Sequence, residues 1–333
     1  MKVSEVERSL CSLVGNSRGS GAYTLFGVLI LVVAIIAGIL AFPWGDVFRG
    51  RVNPDFVAAN EAMSRNQWDK AIALFDRCMK ADPDDWAAYV GRSRAYVGSG
   101  NLQKALDDAN KALQKKPDSS LAYGQRGIVE KILKKHDDAL RDFSEAIRLD
   151  SGYAWAYAQR SDIHSRQQDQ EKALQDANKA IQIKPNFVEA LRLRAWVLSR
   201  MGKCKEANED FKKVEKLSPN DVWSMQDKAW FLLTCPDESL HDPTKAMELA
   251  KKAIELTEGK DGVIYETIAE AYFRQGDSLK AAESQRKAIE LGSKKCPDGS
   301  CLKEMKQRLQ KYEMAARPEV RNSYEFLPLD SAY

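Results

Sequence analysis

Residues 106–113 read Leu106-Asp107-Asp108-Ala109-Asn110-Lys111-Ala112-Leu113. Their apolar members recur at steps of three and four, the spacing that lines one face of an amphipathic helix. Working outward, four registers fall in phase at intervals of 34 residues. Asp108 is joined by Asp142, Asp176 and Asp210, and Ala105 by Ala71, Ala139, Ala173 and Ala207. Arg92, Arg126, Arg160 and Arg194 keep the same interval, as do Pro83, Pro117, Ser151, Pro185 and Pro219. Chance does not give four registers in phase, so each interval is one structural unit. Gly100, Gly202 and Gly276 stand where a first helix ends and turns into a second. Each proline follows the second helix, because a ring without an N–H is poorly tolerated inside one.

These residues resemble the tetratricopeptide repeat, a helix–turn–helix unit with small side chains at repeat positions 8, 20 and 27 and proline at 32. Position 8 is Ala59, Ser93, Gly127, Ser161, Ala195, Ala229 and Ala269. Position 27 is Ala112, Ala146, Ala180, Ala253 and Ala288, with Cys78 and Val214 departing. The resemblance implies an all-α, right-handed α-solenoid of about seven hairpins over residues 52–293, nearly three quarters of the chain. The units run approximately 52–85, 86–119, 120–153, 154–187, 188–221, 222–260 and 261–293. An insert between Ala229 and Pro243 lengthens the turn of the sixth and is similar to one in bacterial members of the family. Met305, Leu309 and Tyr312 form one stripe of a further helix. A stack needs a terminal helix to cover its last apolar face, so 294–317 reads as a capping helix and 318–333 as a tail.

The array is preceded by a polar segment, 1–22, and by Tyr23 to Phe42, twenty residues without a charge. As a helix these span about 30 Å, the thickness of a bilayer's hydrocarbon core. Tyr23 and Trp44 stand at the two ends, where amphipathic rings favour the headgroup region. A cleaved signal peptide has a shorter apolar region, so 23–42 is expected as one transmembrane helix, with 43–51 as linker. Lys2, Arg8 and Arg18 precede it, against Arg49 and Arg51 after it. That balance places the amino terminus inside and the array outside, in the periplasm of a bacterial inner membrane.

Function in this family resides on the concave face, lined by first-helix residues. Carried onto this chain, those positions give Arg94, Trp155, Arg166, Arg192, Trp196, Arg200, Trp223, Trp230 and Phe273. Tryptophan and arginine are enriched at binding hot spots, and together they suit a protein or peptide with apolar and acidic side chains. The family's carboxylate clamp is absent, its position-6 asparagine being replaced by Gly91, Gln125 and Gln159. The arginine and aspartate registers predict structural ion pairs: Arg92–Asp108, Arg126–Asp142, Arg160–Asp176 and Arg194–Asp210. Such pairs set helix register more than they add stability.

Six cysteines and three histidines leave little material for metal or nucleophile chemistry. Cys296 and Cys301 flank a tight turn and suit a small-loop disulfide in an oxidising compartment, whereas no zinc set is completed around them. Cys204 and Cys235 fall in the inter-helix turns of adjacent units, as His136 does in its own. With 51 basic against 48 acidic residues, nucleic acid is not the expected partner. No catalytic constellation or cofactor motif is found, so no enzyme and no cofactor are expected. The reading is a membrane-anchored scaffold for protein–protein interaction. An accessory subunit of a cell-envelope assembly and a glycan- or peptidoglycan-associated module with stacking tryptophans remain as alternatives.

Overall fold

The computed structural model of the chain describes residues 53–295 and 302–317. The apolar span 23–42 with its flanking segments, the Cys296–Cys301 turn and the tail from 318 lie outside the described residues. Among the described residues no helix is long and apolar enough to cross a membrane.

The described residues form fifteen α-helices, one short 3-10 turn and no strand. The first four hairpins pair α1 (Pro54–Ser64) with α2 (Trp68–Ala81), α3 (Trp86–Gly98) with α4 (Leu102–Lys115), α5 (Ser120–Ile132) with α6 (His136–Leu149), and α7 (Ala154–Arg166) with α8 (Gln170–Ile183). Three more pair α9 (Val188–Arg200) with α10 (Cys204–Leu217), α11 (Val222–Thr234) with α12 (Pro243–Leu256), and α13 (Gly262–Arg274) with α14 (Ser278–Lys295). The chain then forms α15 (Leu302–Ala315). His136 and Cys204 are not turn residues: each is the first residue of a second helix.

Local chemistry sets the helix ends. Asn53 Oδ1 accepts from the Asp55 N–H, and Asp85 Oδ1 accepts from the Ala87 and Ala88 N–H groups. Each cap of this kind contributes about 1 kcal/mol. At the turn inside each of the first five hairpins one residue is left-handed: Asn66, Gly100, Lys134, Gln168 and Gly202, with φ between 56° and 80°. The following N–H then reaches back to the exposed carbonyls of the first helix, as Lys135 N–H does to Glu130 O at 2.9 Å. Only the sixth hairpin lacks this device. There Cys235 ends α11 in extended backbone and the 3-10 turn Glu238–Leu240 carries the chain to Asp242, which caps α12.

Packing follows a small–large rule. Ala71, Ala105, Ala139, Ala173 and Ala207 are fully buried, letting the two helices of a hairpin approach closely. Phe75, Phe143 and Phe211 fill the space between hairpins at every second unit, and Ala109 and Ala177 occupy the equivalent place in the units between. Phe75 presses so closely on Gly91 that a Cβ there would lie 2.4 Å from its ring. First helices of successive hairpins touch one another, whereas second helices make no comparable contact. The stack therefore curves with α3, α5, α7, α9, α11 and α13 on its inner face, the arrangement of a helical solenoid.

Candidate functional site

The arginine register is engaged inside the stack. Arg126 Nε and Nη2 donate to Asp142 at 2.7 and 2.8 Å, and Arg92, Arg160 and Arg194 hold Asp108, Asp176 and Asp210 with the same bidentate geometry. The hydrogen bond to the aspartate holds the Arg126, Arg160 and Arg194 guanidiniums above their ordinary pKa. Each arginine also reaches the preceding hairpin through Nη1, to Asp76, Asn110, Ser144 and Asn178 in turn. One guanidinium thus bridges the second helices of two hairpins. Tyr89, Tyr123 and Tyr157 lie under the same cations, with guanidinium carbons 5.5–6.0 Å from the ring centroids. Acceptors sixteen residues before each arginine and tyrosines three before it follow the same 34-residue interval. Sequence reading missed them although the signal was present, because their residue types vary.

Several of the nine side chains expected to line the groove make contacts within the chain. Arg192 Nη1 donates to Asp227 at 2.5 Å across the α9–α11 contact, and Arg166 Nε donates to Asp162 at 3.0 Å. Asp162 also accepts from Lys131 Nζ at 3.1 Å, so it gathers cations from two hairpins. Burial pushes the Asp227 carboxyl above its ordinary pKa even with Arg192 opposing the shift. Trp155 is half-buried, stacked on Tyr153 at 5.7 Å and edge-on to Phe143 at 6.0 Å. Arg192–Asp227 and Lys131–Asp162 each join two successive first helices.

Two further positions are covered by α15. Arg308 lies over Trp230 at 4.9 Å and donates to Glu266 at 2.6 Å. Tyr312 is fully buried, donates to Glu270 at 2.8 Å and packs on Phe273 at 5.0 Å. Lys311 completes the cover, 4.7 Å from the Phe273 centroid. No periodic signal marked this contact, since α15 lies outside the repeat register.

Trp223, Trp196, Arg94 and Arg200 remain. Trp223 is 57% exposed at the start of α11, and Trp196 is half-buried on α9. Arg94 and Arg200 are exposed and form no salt bridge among the described residues. The uncommitted charge on these positions is positive, and the uncommitted surface is aromatic. These four positions are distributed over hairpins two, five and six. No group of three or more His, Cys, Asp or Glu placed to hold a metal ion occurs among the described residues. A cavity of about 120 Å³ lies between α10, α11 and α12, and its lysines Lys228, Lys245 and Lys252 already hold Glu215, Glu248 and the Pro219 carbonyl.

A tetratricopeptide-repeat family model matches residues 56–120, and a model of the amino-terminal TPR repeats region of Psidin matches 164–295. Among curated proteins, tetratricopeptide repeat protein 28 of Mus musculus is 34% identical over 80 residues, covering 24% of this chain and 3% of its own. Hsp70-Hsp90 organizing protein 3 of Arabidopsis thaliana is 26% identical over 78 residues, covering 23% and 14%. The chain thus matches a small part of either relative. Among solved structures, the APC/C hetero-tetramer Cut9-Hcn1 superposes with a TM-score of 0.69 at 16% identity, over 93% of this chain and 59% of that one. A tetratricopeptide repeat protein from Parabacteroides merdae gives 0.56 at 17% identity, over 78% and 97%. At these identities the structural matches speak for the fold alone.

Proposed function

We propose that this tetratricopeptide-repeat protein is a scaffold that holds another polypeptide along the inner face of hairpins two to six. The observation that carries the reading is Trp223, a large aromatic ring more than half exposed on the inner helix α11, where the neighbouring Arg192 is already paired. An exposed indole on a rigid helix supplies contact area at low ordering cost, which is the property of a hot-spot residue. Arg94 and Arg200 supply positive charge on the same face, so the partner segment carries acidic groups beside apolar ones. The relatives named as Hsp70-Hsp90 organizing proteins support a protein as partner.

The apolar run 23–42 is the proposed tether, a single membrane-spanning helix, and the positive residues before it orient the array into the periplasm of a bacterial cell. Photoreactive side chains at positions 223 and 200, activated in native membranes, test the recognition reading through mass spectrometry of the adducts. The expected result is one polypeptide crosslinked from both positions, with acidic residues in the captured segment. Adducts only to lipid, or to unrelated proteins at the two positions, overturn it.

A further inference from the structure

We propose that Cys204 and Cys235 form a disulfide that ties the fifth hairpin to the sixth. Both side chains are about 2% exposed and belong to one apolar cluster with Leu198, Phe211, Phe231 and Leu233. Cys204 is the first residue of α10 and Cys235 the last-turn cap of α11, so they come from different hairpins. The two thiols lie near enough for Cys204 to act on the ionisation of Cys235. The Cys235 backbone is held in place besides, its carbonyl 2.8 Å from His241 Nε2 in the insert and its thiol donating to the Asp237 carbonyl at 3.2 Å. Two cysteines buried in one cluster can bond once their Cα atoms stand about 4.4–6.8 Å apart. Cys78 is a natural control: it is equally buried, but in the separate cluster of Phe56 and Phe75.

The chemistry is thiol–disulfide exchange. One thiolate attacks the disulfide of a thiol oxidoreductase or of oxidised glutathione, and the second displaces the mixed disulfide. One S–S bond forms within the chain, and the oxidant leaves as two thiols carrying the two electrons and two protons. Burial, with Cys204 beside it, pushes the folded Cys235 thiol up to about 12, so Cys235 holds little thiolate once buried. The finished bond is shielded from reductant by the apolar side chains around it. The bond spans the junction that also carries Arg192–Asp227 and Trp223, and it fixes the angle between those two hairpins. The inference stands whether or not the inner face binds a polypeptide.

The test refolds the full chain in mild detergent from urea and reductant into mixtures of reduced and oxidised glutathione. Acid quenching, alkylation under denaturing conditions and peptide mass spectrometry follow. The expected product is a linked pair of peptides containing Cys204 and Cys235, with Cys78 alkylated. Cys204→Ala leaves Cys235 alkylated and without a new partner. The melting midpoint of the oxidised chain lies roughly 5 °C or more above that of the reduced chain. Helix content by circular dichroism verifies that the Cys204→Ala/Cys235→Ala chain has folded, and its midpoint is then insensitive to redox conditions. Alkylation of both cysteines throughout the oxidising range, or linkage of either to a different cysteine, overturns the proposal.

Discussion

Arg308 lies over the indole of Trp230, its guanidinium carbon 4.9 Å from the ring centroid, while the same side chain donates to Glu266. One cation from beyond the repeats thus occupies an aromatic position on the inner face and neutralises a carboxylate that burial pushes above its ordinary pKa. Arg308→Ala is expected to expose Trp230 and leave Glu266 unpaired. The cost at this end of the stack is about 2 kcal/mol, below that of a fully buried pair because Arg308 is partly solvated. Iodide quenching of tryptophan fluorescence should increase. Unchanged quenching together with unchanged stability rules out this contact.

Arg126→Ala is expected to cost about 3 kcal/mol, because Asp142, whose side chain is 7% exposed, loses its bidentate partner and stays buried. Replacing both partners, as Arg126→Met with Asp142→Leu, should recover most of that loss, since the buried charge goes too. Thermal unfolding of the two variants distinguishes a structural ion pair from an unused cation. Equal midpoints for the wild type and Arg126→Ala would refute the structural role.

Lys134 and Gln168 take left-handed φ values of 61° and 65° at the turn where Gly100 takes 80°. A Cβ in that region costs about 1 kcal/mol, and both side chains are exposed. Lys134→Gly is therefore expected to stabilise its hairpin by up to about 1 kcal/mol, and Gly100→Ala to destabilise by a similar amount. Urea unfolding of each variant measures the difference, and opposite signs are the diagnostic result.

Glu130 has a folded-state pKa raised to about 7 from 4.5, first by burial and then by the charge of Asp142, against the opposing pull of Arg126. Between those values the folded chain holds a proton that the unfolded chain has released, so stability falls as pH rises through that window. Its contribution is fully present below about pH 4.5 and lost above about pH 7. Glu130→Gln is expected to remove this slope, giving a gain over the wild type of order 1 kcal/mol at pH 8 and none at pH 4, with partial solvation reducing the full value. Melting midpoints across that range check it. A wild-type minus variant difference independent of pH counts against the assignment.

The hairpin architecture was legible because each unit repeats the same local instructions. Ala105 and Asp108 need only their own helix and its nearest neighbours to act, and the interval that reproduces them also reproduces their surroundings. The same interval would have revealed the Nη1 acceptors Asp76, Asn110, Ser144 and Asn178, had position been followed ahead of residue type. The candidate site was less legible. Nothing in the spacing of Arg192 announces Asp227, 35 residues on, as its partner, and nothing near Trp230 announces Arg308.

Periodic pattern alone therefore sufficed for the helix pairs, their turns and the face each helix buries, since these depend on neighbours that recur with every unit. Which inner-face side chains stay available was settled only by the folded stack. Ion pairs such as Arg192–Asp227 form wherever curvature brings one particular pair of opposite charges together, and α15 covers Trp230 and Phe273 because the last hairpin has an unmatched face to bury. Those outcomes depend on distances between hairpins, a quantity that no single repeat contains.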